Sequence, residues 1–64
     1  MEMNNMDILK KKLLDAQEMV RDYEMFSKEL KDKKIQRAFK DFAEESGMQA
    51  SKMQEMIDEY EEMK

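Results

Sequence analysis

The apolar positions of the chain fall into two phased stripes. From Met6 they run Met6, Leu9, Leu13, Ala16, Val20, Tyr23, Ser27 and Leu30, alternating steps of three and four, the spacing that keeps side chains on one face of an α-helix. Ser27 alone breaks that stripe with a polar residue. Met19 and Phe26 widen it beyond a two-stranded seam, as expected of a helix that touches two neighbours in a bundle. Continuing the same phase would bring Lys34, Arg37, Asp41 and Glu44 onto the seam, so one continuous rod fits poorly and the chain must change course. A second stripe begins one residue out of phase and passes through Ile35, Phe39, Phe42, Ser46, Gln49, Met53, Met56, Tyr60 and Met63, with Ala38, Ala43, Ala50 and Ile57 flanking it. The pattern predicts an all-α chain, one antiparallel two-helix hairpin over residues 1–64. Helix one is expected over about 5–31, the turn over about 31–34 and helix two over about 33–63.

Local signals agree with that division. Asn5 or Asn4 is placed to cap helix one, and Asp7 to complement the positive end of its dipole. Asp32 is placed to cap helix two, although no Gly or Pro marks the turn. Gly47 costs helix two about 1 kcal/mol relative to Ala. Positions 42, 46, 49, 53 and 56 nevertheless keep step through it, so the sequence reads as one helix, slightly bent there.

Size changes the picture. A chain of 64 residues makes one domain at most, and such a domain buries only about 60% of the surface its unfolded form exposes. Small scaffolds compensate with disulfides, structural metal or self-association. With no Cys and no His the first is excluded and zinc-type sites are disfavoured, which leaves self-association. The simplest closure for two wide apolar faces is a second copy, giving a four-helix bundle. Lys31, Lys33, Lys34, Arg37 and Lys40 surround the turn, whereas Asp58, Glu59, Glu61 and Glu62 crowd the far end. Hairpins packed turn-to-terminus bring unlike ends together, so the expected assembly is an antiparallel homodimer. A net charge of −4 argues against a nucleic-acid partner. No apolar run approaches the ~20 residues of a membrane span and Met1 to Asn5 does not read as a signal peptide, so a cytoplasmic protein without a membrane partner is expected.

The second stripe carries its own break. Ser46 and Gln49 put polar groups into a greasy seam three residues apart, the spacing at which helical bundles converge a Glu and a His on one metal ion. Around them, Tyr23, Asp32, Phe39, Phe42, Ala43, Glu44, Glu45 and Ala50 stand in the register of a known pattern. There, helix one carries a ligand Glu two turns before a Tyr, and helix two reads roughly Phe-x-x-(apolar)-Ala-Glu-Glu-Glu-x-x-His-Ala. Over Ala16 to Met56 the chain resembles the first helical hairpin of rubrerythrin and related ferritin-like proteins. The resemblance implies a ferritin-like four-helix bundle built from two hairpins. It also implies that the family's ligand positions are occupied by Ala16, Ser46 and Gln49, so all three metal ligands of this half are missing. Ala offers no donor atom, and the Ser hydroxyl and Gln amide are weak neutral ones.

The expectation is therefore no metal, no cofactor and no enzymatic activity. Ser46 and Gln49 are read as a satisfied polar layer, bonded to each other, to Tyr23 of a facing helix or to water. The seam of the hairpin and dimer is taken as Leu9, Leu13, Ala16, Val20, Tyr23, Leu30, Ile35, Phe39, Phe42, Ser46, Gln49, Met53, Met56 and Tyr60. Tyr23 and Tyr60 are expected to bury their rings and keep their hydroxyls at the edge. Glu44, Glu45 and the Lys10-Lys11-Lys12 run read as solvated charge, and Met25 and Met48, off the stripe, as exposed sticky spots. Two other readings are open. One is iron or manganese binding through substitute carboxylates; the other is a small regulator offering its hairpin to a larger helical partner.

Overall fold

A computed structural model describes residues 4–62; Met63, at the end of the second stripe, and Met1, Glu2 and Met3 lie outside the described residues. Two helices, α1 (Asn5–Glu29) and α2 (Lys33–Glu62), pack side by side as an antiparallel hairpin. No strand occurs among the described residues. Among the described residues no helix is long and apolar enough to cross a membrane.

Capping decides where each helix starts. Asn4 is extended and its side chain accepts the Asp7 backbone N–H at 2.8 Å, so Asn4 rather than Asn5 is the N-cap of α1. Leu30 leaves the helix with an extended backbone, and its N–H donates to the Phe26 carbonyl at 3.1 Å. Helix α1 thus ends at Glu29, short of the expected residue 31. The turn dispenses with glycine because Asp32 caps α2, its Oδ1 accepting the backbone N–H groups of Lys34 at 2.8 Å and Ile35 at 3.2 Å. The Gln36 side chain reaches back to donate to the Leu30 carbonyl and closes the corner.

The first stripe packs as its period demands. Ala16 and Ser27 are buried, and Met6, Leu9, Leu13, Val20, Tyr23 and Leu30 are half-buried against α2. The break at Ser27 is repaired within its own helix, since Oγ donates to the Glu24 carbonyl at 2.8 Å. Tyr23 meets the ring of Phe39 edge-on at 5.3 Å and that of Phe42 at 5.4 Å. These are favoured geometries for aromatic pairs.

The second stripe requires a correction. The face of α2 that meets α1 runs Phe39, Ala43, Ser46, Ala50, Met53 and Ile57, so Ala43 and Ile57, expected at the flank, are the buried residues. Ile35, Phe42, Gln49, Met56 and Tyr60, expected on the seam, are exposed beside it. Small side chains explain the choice. Ala16 of α1 with Ala43, Ser46, Gly47 and Ala50 of α2 let the helices approach closely, which bulky side chains at those positions would prevent.

Helix α2 runs unbroken through Gly47, which has no positive φ. An added Cβ there would meet only Val20 Cγ2, at an ordinary 3.9 Å. Gly47→Ala is therefore expected to stabilise the fold by about 1 kcal/mol, read as a higher urea midpoint with unchanged slope. A lower midpoint would mean that the helices approach more closely at this point than described.

The core is thin. Only Ala16, Ala43, Ile57, Ser27 and Ser46 are buried, and among the described residues no side chain is fully enclosed. The Cα trace measures 49 × 24 × 12 Å, so the body is one helix thick. A single layer has two open faces.

Candidate interaction face

Those two faces differ. On one, a groove of about 280 Å³ runs between the helices, lined by Lys12, Asp15, Ala16, Met19 and Tyr23 from α1 and by Phe42, Glu45, Ser46, Gln49 and Met53 from α2. Towards the chain ends, Ile8, Met56 and Tyr60 border a second apolar hollow on the same face. Phe26 lies two turns beyond Met19, and Ile35 two turns before Phe42, which extends the face to the turn. Phe42 is 40% exposed, Met19 41%, Phe26 45% and Ile8 48%. The opposite face presents Glu24, Lys40 and Glu44 around Val20, Ala43 and Gly47. Of the remaining exposed apolar residues, Leu14 and Met25 sit on the back of α1 and Met48 on the back of α2, each alone among charges. The apolar surface is one-sided.

The periodicity of α2 accounts for this. Its apolar sector holds two lines, each with a seven-residue step: Ala43, Ala50 and Ile57 against α1, and Ile35, Phe42, Gln49 and Met56 on the open face. A sector that wide is one neighbour more than a hairpin supplies.

The structure separates Ser46 from Gln49. Ser46 is buried at 8% exposure on the hairpin side of the groove, whereas Gln49 is exposed on its floor. Among the described residues no side-chain hydrogen bond joins them to each other or to Tyr23 within one chain. Among the described residues no fully buried side-chain nitrogen or oxygen is left without a partner. Tyr60 is 40% exposed, with its hydroxyl accepting from Asn5 Nδ2 at 2.9 Å, a bond that ties the N-terminal turn of α1 to the last turns of α2. Glu44 and Glu45 are both exposed, Glu45 beside the groove and Glu44 on the opposite face of the hairpin. Among the described residues no three or more acidic side chains converge as a metal site would require.

Charge in the groove is ordered by short-range pairs. Lys11 Nζ donates to Asp15 Oδ2 at 3.1 Å, and Lys12 Nζ approaches the same oxygen at 3.4 Å. The hydrogen bond from Lys11 holds the Asp15 carboxyl below its ordinary value of 3.8, against a smaller opposing effect of desolvation. A carboxyl depressed in the folded state contributes stability above its unfolded value and loses it as pH falls through the folded one. Carboxyl NMR titration is expected to place the Asp15 midpoint below 3.8 and to move it upward in Lys11→Ala; an unmoved midpoint would remove Lys11 as the cause.

The sequence reading missed Lys12, Asp15 and Glu45 as part of a shared surface. The signal was the step of seven that links Lys12, Met19 and Phe26, which reads as a second stripe only beside its partner line on α2. Compared with known proteins, the chain matches no family model, no curated protein and no solved structure.

Proposed function

We propose that the chain is a non-enzymatic, cytoplasmic dimerisation protein, whose hairpins pair face to face and antiparallel into a ferritin-like four-helix bundle. The observation that carries this reading is the one-sided apolar face on a body one helix thick. The area agrees. The chain exposes 5581 Å², whereas a compact monomer of 7.8 kDa would expose roughly 4,400 Å². The excess, on the order of 1,000 Å², is what one partner of a standard protein interface covers.

Helix dipoles favour the antiparallel pairing. Helix α2 begins with Lys33 and Lys34 and has no acidic residue in its first turn, and it ends with Glu59, Glu61 and Glu62 and no basic residue in its last. Both ends carry the charge that opposes the macrodipole. Packing turn against terminus sets each mismatched end beside its opposite on the partner and relieves both. In this reading the chain is a rubrerythrin-like half bundle in which Ala16, Ser46 and Gln49 replace the metal ligands, and the former centre serves association.

Sedimentation equilibrium over a micromolar concentration series tests the proposal. The expected result is a dimer whose helicity falls on dilution; a folded monomer throughout the series would refute it.

A further inference from the structure

The groove has a centre that both helices share. Along α2 the line bordering it reads Phe39, Phe42, Ser46, Gln49, Met53 and Met56, with the same spacing from either end. Its middle falls between Ser46 and Gln49, the one polar pair on the line. The hairpin's own contacts fix what stands level with that middle on α1: Asn5 meets Tyr60 at 2.9 Å and Tyr23 meets Phe42 at 5.4 Å. Counting inward from either contact reaches the point between Ala16 and Met19. About that point the line of α1 towards the groove, Leu9, Lys12, Ala16, Met19, Tyr23 and Phe26, is evenly disposed as well.

Two copies opposed by these faces with their ends reversed are related by a two-fold axis that lies in the interface and crosses both helices. Each α1 then packs on the partner's α1 and each α2 on the partner's α2. Resting on the dimer reading, we propose that this axis passes between Ser46 and Gln49, so that Ser46 of each copy meets the partner's Gln49 and the two polar pairs set the register. Phe42 then lies against the partner's Met53, and Phe39 against the partner's Met56. On α1 the same rotation sets Ala16 against the partner's Met19 and Leu9 against the partner's Phe26. The stem of Lys12 lies along the partner's Tyr23, with its ammonium towards the partner's Asp22.

The groups this register needs are open within one chain. Ser27 is buried too, but its hydroxyl is engaged by the Glu24 carbonyl. Ser46 and Gln49 border the groove, and among the described residues neither side chain makes a hydrogen bond. Among the described residues Asp22 has no cation in salt-bridge range, and Asp15 keeps its closer partner Lys11 when Lys12 turns away.

Other registers strand the polar pair. Sliding the copies by one heptad, about 10 Å, lays Ser46 and Gln49 on the partner's Met56 and the partner's Met53 in one direction, and on the partner's Phe42 and the partner's Phe39 in the other. An axis along the hairpin, the other way to oppose the faces, stacks the two lysine-rich turns and lays Gln49 on the partner's Ala16. Each of these shuts a hydroxyl or an amide against apolar side chains, which costs the hydrogen bonds it made to water.

Charge at position 49 in the full chain tests the register. The two copies of this residue stand on either side of the axis, about 4.5 Å apart along the helix. Gln49→Glu and Gln49→Lys therefore each bring like charges together and are expected to raise the dimer dissociation constant at least about tenfold in sedimentation equilibrium. An equimolar mixture of the two variants pairs opposite charges and is expected to form a mixed dimer within about threefold of wild type. As a second measurement, a mixture of Phe42→Cys and Met53→Cys chains is expected to form a cross-chain disulfide under mild oxidation. Neither variant does so alone, because its own copies lie about 16 Å apart along the helix. A wild-type monomer overturns the dimer reading itself. A wild-type dimer that neither charge weakens, that the mixture fails to restore, or whose mixed cysteine chains do not cross-link overturns this register and leaves the dimer standing.

Discussion

Under the proposed face-to-face pairing, replacing Phe42 with Asp is expected to leave the chain monomeric at micromolar concentration. Phe42 is 40% exposed in the single hairpin and sits beside the groove, with its ring against that of Tyr23. An aromatic anchor at the centre of an interface typically contributes 2 kcal/mol or more, and a buried carboxylate adds its own desolvation cost, so dimerisation should weaken by about 100-fold or more. Met48→Asp supplies the contrast. Met48 is 72% exposed on the back of α2, and charging it is expected to leave association unchanged. Sedimentation equilibrium of the two variants separates face from back; equal behaviour would remove the open face as the site of association.

The second large effect is expected at Ile57, which is 4% exposed and belongs to the contact between α1 and α2. Ile57→Ala removes the largest buried side chain of a thin core and should cost about 2–5 kcal/mol. That is comparable with the whole stability of a chain this size, roughly 3–10 kcal/mol. Its neighbour Met56, 37% exposed, points to the open face. In urea denaturation the loss in Ile57→Ala should be present at every protein concentration, whereas that in Met56→Ala should vanish once dilution has separated the copies. The opposite result would exchange the two faces of α2 and return the hairpin seam to the line of Phe42, Gln49 and Met56.

That exchange is where reading the sequence and seeing the structure diverge. The seam of α1 was legible because its longest apolar run, from Met6 to Leu30, keeps one phase, and Met19 and Phe26 beside it are interrupted by Lys12 on their own line. Helix α2 carries two adjacent stripes, and hydrophobicity favours the bulkier one. Phe42 and Met56 look more like core than Ala43 and Ala50. Packing selects otherwise, since two backbones approach most closely where side chains are smallest, and the bulky line is displaced to the open face. The polar break at Ser46 and Gln49 was legible as a break but not as a division. The boundary between the two stripes passes between those residues, so one turns inward with Ala43 and Ala50 and the other outward with Phe42 and Met56.

The groove was illegible for a related reason. Lys12, Asp15 and Glu45 are ordinary surface charges on their own helices, and only the hairpin's register sets them around a common point. By itself the sequence determined two helices, an asparagine and an aspartate that start them, a turn without glycine, and a core too small for the chain. These follow from backbone hydrogen bonding and the 3.6-residue period, which are local. The tertiary structure alone decided which line of α2 faces α1, and so which side chains remain exposed. That choice depends on how closely two surfaces fit, and fit is a property of the pair.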